Sequence, residues 1–153
     1  MRAIPCVLVV IILLAGGSGC SVGLPRSNRS EFVISTGAGF LLTPDLGARY
    51  GMNFELRRIM DKPVYVVAEF ENPEKGFPPL RSESVVEPGT LEFLVQSPRL
   101  TVLSNDARYS VRLTLYWDAA HTRLLGRHRQ EVLFSLPQDQ VSRVEEADGI
   151  RIL

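Results

Sequence analysis

Cysteine is nearly missing from this chain: Cys6 and Cys20 are the only two, and both fall within the first twenty residues. No disulfide framework and no cysteine-based zinc site can be written for residues 21–153, so a domain there must hold together by packing alone. Histidine is as scarce. His121 and His128 stand on either side of "TRLLGR", with Asp118 three residues before His121. Two imidazoles without a carboxylate cluster make a poor metal site, and both read as exposed loop and strand residues, so no metal is expected. Excess charge is absent too. Lys plus Arg and Asp plus Glu number 17 each, which leaves no global field to hold a phosphate backbone and excludes nucleic acid as the expected partner. Only Lys62 and Lys75 among these cations are lysines, an arginine preference in keeping with codon usage.

Catalytic signatures are missing as well. No serine stands in a G-x-S-x-G elbow, and "STGAGF" at residues 35–40 lacks both the lysine and the following helix of a phosphate loop. Its glycines read instead as serving a bulge or a flexible first strand. Glu69 and Glu71 lie two apart on the outward face of one strand and read as solvated surface. No enzyme and no cofactor are expected.

What the chain does have is short runs of period two. In "PVYVVAEF", Val64, Val66, Ala68 and Phe70 share one face, against Tyr65, Val67 and Glu69 on the other. In "TLEFLVQS", Leu91, Phe93 and Val95 alternate with Glu92, Leu94 and Gln96. In "YSVRLTLYW", Tyr109, Val111, Leu113, Leu115 and Trp117 form an apolar face of β-branched and aromatic character. Weaker strand patterns cover residues 32–42, 50–59, 82–87, 100–103 and 130–136, separated by turn signals such as "TPDLG", "ENPEKGFPP", "EPG" and "SNDA". Helical spacing is confined to residues 138–147. The spacing predicts an all-β fold over residues 31–153: an antiparallel β-sandwich of about seven or eight strands, immunoglobulin-like or transthyretin-like.

Ahead of that domain, Arg2 precedes an unbroken apolar run over residues 6–15, the layout of a secretory signal peptide and too short for a permanent transmembrane helix. The run gives way to "GGSGCS", with Ser18 and Gly19 directly before Cys20. These residues resemble the signal sequence of bacterial lipoproteins, although Gly17 stands where that class usually has an aliphatic residue. The resemblance covers the first twenty or so residues. It implies removal of residues 1–19, a diacylglycerol on the Cys20 sulfur, a further chain such as palmitate on its new amino group, and membrane partnership through those chains. Two or three chains anchor durably where one does not. Ser21, in place of an aspartate, implies sorting to the outer membrane, facing the periplasm. Residues 20–30, "CSVGLPRSNRS", then read as a flexible tether spanning at most about 35 Å.

Function is therefore sought on the surface. Phe77, with Pro78 and Pro79, forms a candidate interaction loop in which the aromatic either offers a rigid anchor or folds back to cap the sandwich. Trp117 and His121, with Tyr116 and Tyr109, form a candidate pocket at one sandwich end. Arg127, His128 and Arg129 read as protection for an edge strand. The expected function is that of a membrane-anchored envelope lipoprotein acting as a non-enzymatic protein-interaction or structural module, with another envelope protein as partner. A sandwich binding a small ligand or glycan is the alternative. In size and plan the chain is similar to small transthyretin-fold lipoproteins of secretion-system membrane complexes, at the level of fold and without their motifs.

Overall fold

Alternating branched and aromatic residues place β3 (Val64–Phe70) against β7 (Ala107–Tyr116), antiparallel, at the centre of a four-stranded sheet. Their inward residues are buried, from Val64, Val66, Ala68 and Phe70 on one strand to Tyr109, Val111, Leu113 and Leu115 on the other. Strands β4 (Leu80–Val86) and β8 (Leu124–Phe134) flank the pair, giving the order β4-β3-β7-β8. Strands β1 (Val33–Thr43), β2 (Gly47–Leu56) and β5 (Glu92–Gln96) make a second sheet in the order β1-β2-β5. It turns Tyr50, Met52, Phe54 and Leu56 toward the first, and all four are fully buried. A two-residue parallel pair, β6 (Val102–Leu103) with β9 (Arg151–Ile152), completes the chain. The structure is a computed structural model that describes residues 30–43, 47–139, 141, 145 and 150–153. Cys20, the signal segment and all of the tether but Ser30 lie outside the described residues.

The fold is the all-β sandwich that the period-two runs predict. Among its seven long strands the first, second and fifth share one sheet while the third, sixth and seventh share the other. This is the immunoglobulin-like plan with the fourth strand carried on the second sheet. An aromatic cluster joins the layers: Tyr50 stacks on Phe70 with ring centroids 5.5 Å apart, and meets Phe40 at 4.8 Å and Tyr109 at 5.6 Å. Such pairs add about 0.5–1.5 kcal/mol each beyond the area they bury. Of the two readings of "STGAGF" the bulge is present, as the β1–β2 register shifts between Ser35 and Gly37. Of residues 138–147, Gln138, Asp139, Val141 and Glu145 are described, and they are helical.

Strand β8 departs from expectation. It starts at Leu124, well before residue 130, and His128 is not exposed but 5% accessible. After Leu125, which is buried, the strand alternates inward at His128, Gln130, Val132 and Phe134, so two successive core positions are polar. They satisfy each other: His128 Nε2 and Gln130 Oε1 lie 2.9 Å apart, with the imidazole edge-on to Phe54 at 5.4 Å. Pairing removes the cost of burying either polar group alone. Its outward residues Arg127, Arg129 and Glu131 do lie on an edge strand, where charge discourages pairing with other chains.

The antiparallel registers give the sandwich two distinct ends. At one end Ser30 leads into β1, and the connections at residues 57–63, 87–91 and 117–123 gather. At the other end lie the β3–β4 connection, residues 71–79, and the stretch between β5 and β7. Asn105 clamps this second end: its Oδ1 accepts from the Leu136 amide at 2.8 Å, its Nδ2 donates to the Leu136 carbonyl at 3.1 Å, and its own amide donates to the Leu153 carbonyl at 2.8 Å.

Candidate functional site

The loop at residues 71–79 is stiffened by its own sequence. Asn72 Oδ1 accepts from the Glu74 amide at 3.0 Å and Asn72 Nδ2 donates to the Pro78 carbonyl at 3.1 Å, an Asx turn that brings the loop's two halves together. The Phe77 amide donates to the Glu74 carbonyl at 3.3 Å, Gly76 takes the turn at φ +88°, and the fixed rings of Pro78 and Pro79 restrict the backbone on the far side of Phe77. The result is that Phe77 stays 63% exposed. It does not fold back over the sandwich.

Phe77 instead lines a cleft of about 490 Å³ whose floor is the outward face of β3, β7 and β8. One cross-strand row supplies the floor: Glu69 pairs with Arg112, and Arg112 with Arg129. Two arginines directly opposite repel. Arg112 is offset by Glu69, with Nε 3.9 Å from Oε2, while Arg129 Nε donates to Ser110 Oγ at 3.2 Å. The remaining carboxylates are held by neutral donors. Glu71 Oε2 accepts from the Ser110 amide at 2.8 Å, and Glu74 Oε1 from the Thr101 hydroxyl at 2.6 Å. Among the described residues neither Arg129 nor Lys75 makes an ion pair. The cleft thus offers a guanidinium fork to an incoming carboxylate or carbonyl, beside an aromatic ring. A second, smaller cleft of about 100 Å³ lies behind the loop, lined by Asn72, Pro73, Glu74 and Arg99 among others.

In the other expected group Tyr116 and His121 come together, while Tyr109 lies apart. Trp117 is half-buried against the core, and neither it nor His121 lines either cleft. Tyr109 is buried near the far end of β7, about 27 Å of strand from Trp117. His121 takes a left-handed conformation at φ 55° and lies with its ring 4.9 Å from Tyr116. Asp118 explains this turn. Its Oδ1 accepts from the Thr122 amide at 2.9 Å, and its Oδ2 from the Thr122 hydroxyl at 3.1 Å and the Arg123 amide at 2.8 Å. A carboxylate so engaged organises a loop. Among the described residues no three His, Cys, Asp or Glu side chains gather as a metal group.

The Thr122 amide first, and the other loop donors after it, hold the Asp118 carboxyl below its ordinary value of 3.8. A depressed pKa contributes stability that is whole above that ordinary value and drains away as pH falls beneath it. Asp118→Asn is therefore expected to melt lower than the parent near neutrality and to converge with it in acid. Parallel acid limbs in thermal melts of the two proteins would refute this.

Cys20 lies outside the described residues, so its site is not placed. Arg112, Arg129 and Ser110 were not expected at the Phe77 site, because strand register brings them there. No protein-family model matches the chain, and no curated protein matches it. Among solved structures it is similar to a Bacteroides uniformis β-glucuronidase, at 15% identity and a TM-score of 0.40, over 67% of this chain and 13% of that one.

Proposed function

We propose that this chain is a lipid-anchored envelope protein whose sandwich is a non-enzymatic interaction module, docking another envelope protein at the Phe77 loop and the cleft beside it. The observation that supports this reading is an aromatic ring, 63% exposed, on a loop that its own hydrogen bonds hold in place. Leaving a phenylalanine in water forgoes about 1.5–3 kcal/mol of burial, which a partner covering it restores. A rigid loop loses little freedom when it binds, and aromatic and arginine side chains together are the usual anchors of an interface. The loop also lies at the sandwich end opposite Ser30, so a tether leaving there keeps the cleft clear of the membrane.

Acylated protein recovered from native membranes is expected to bring down one stoichiometric protein partner. Phe77→Ala should weaken that capture about tenfold or more while leaving the melting temperature unchanged. Recovery of no stoichiometric partner by the parent protein, or equal recovery by both, would sink the proposal.

A further inference from the structure

The end of the sandwich where Ser30 enters carries its own unexplained surface. In residues 57–62, "RRIMDK", three cations accompany one acid, and Ile59 is 64% exposed. This is no loose loop: the Arg57 amide donates to the Phe32 carbonyl at 2.9 Å, Met60 is buried, and the Met60 carbonyl accepts from the Gly89 amide at 3.1 Å. Ile59 is held outward by its neighbours. Among the described residues Arg57, Arg58 and Lys62 make no ion pair. Beside the loop an apolar row crosses all four strands of one sheet, since Val85 pairs with Tyr65, Tyr65 with Tyr116, and Tyr116 with Leu124. Val85 and Leu124 are each 47% exposed.

An exposed aliphatic at a loop tip, cations around it and tyrosines behind it form the profile of a surface that seats at a lipid interface. We infer that this end docks on the membrane surface, with Ile59 entering the headgroup boundary and Arg57, Arg58 and Lys62 meeting lipid phosphates. The chain outside the structure selects that occupant: residues 20–29 lead from Cys20 to this end, and they span at most about 35 Å when extended. The inference rests on the reading of Cys20 as the acylated residue. Docking in this orientation turns the tether from a loose leash into a short link and points the Phe77 cleft away from the lipid.

The chain's single tryptophan, Trp117, lies at this end and serves as the probe. The full acylated chain, placed in vesicles of phosphatidylethanolamine and phosphatidylglycerol with spin-labelled headgroups, should float with the vesicles and show quenched Trp117 fluorescence. Cys20→Ala should float poorly. Ile59→Asp should float as well as the parent but lose quenching several-fold, and a tryptophan moved to the opposite end, by Phe77→Trp with Trp117→Phe, should stay bright. Flotation of the parent without quenching, or quenching indifferent to Ile59→Asp, overturns the docking and leaves the anchor standing. A parent chain that does not float overturns the anchor and the docking together.

Discussion

Gly126→Val is expected to abolish the folded state, and Gly126→Ala to lower the melting temperature by about 10 °C. A Cβ built on Gly126 would overlap Phe32 Cδ2 and fall 2.8 Å from its Cε2, far inside contact distance. The obstacle is a ring edge, which cannot bend aside as a flexible chain end can. Phe32 is also fixed at its backbone, where its carbonyl takes the Arg57 amide and the chain turns at Ser30, whose amide reaches the Val33 carbonyl at 2.8 Å. Gly126 sits opposite Leu115, beside the irregularity where β7 and β8 shift register, so β8 has little freedom to retreat. Overpacking of this kind costs typically about 1–3 kcal/mol and more for larger side chains, against a total stability of about 5–15 kcal/mol. Thermal melts of the two variants decide it. If Gly126→Ala melts with the parent, Phe32 can step away and the seam between β1 and β8 is looser than its geometry indicates.

Tyr50→Ala should cost about 3–5 kcal/mol, because it removes the ring on which Phe40, Phe70 and Tyr109 all pack. Tyr50→Phe isolates the hydroxyl, which donates to the Glu71 carbonyl at a long 3.3 Å, and should cost only about 1 kcal/mol. The pair differ further in alkali. Burial first, then the nearby Tyr109 and Glu71, push the Tyr50 phenol well above its ordinary value of 10.0. Unfolding returns it to that value, so the chain releases a proton on unfolding once the pH passes it. The part of stability tied to Tyr50 is whole below that pH and declines as pH rises beyond it. Urea titrations across that range should show the parent losing stability faster than Tyr50→Phe, and superimposable slopes would refute the assignment.

Where a strand buries one apolar face, the sequence discloses it. The faces of β3 and β7 are the ones their alternation predicts, and the bulge in β1 is one of the two readings that "STGAGF" allows. The first half of β8 was hidden because His128 and Gln130 occupy core positions, and two polar residues facing inward erase the alternation that marks a strand. Strand β9 is too short to show any period. The Phe77 loop was legible because Pro78, Pro79 and Gly76 announce a stiff turn. The floor beneath it was not, since Glu69, Arg112 and Arg129 come from three strands and meet only through register. Register also parts the residues grouped around Trp117, since Tyr109 belongs to the other end of β7 from Tyr116.

The pairing of β6 with β9 has a consequence in time. Ile150 is buried among the core residues, the Arg151 amide reaches the Thr101 carbonyl at 2.9 Å, and the Leu153 amide the Leu103 carbonyl at 2.8 Å. Residues 150–153 thus join a core that strand β1 also lines through Val33, so segments far apart in the described chain meet in it. During synthesis these contacts are among the last to form, and the core stays open beside β6 until residue 150 has emerged.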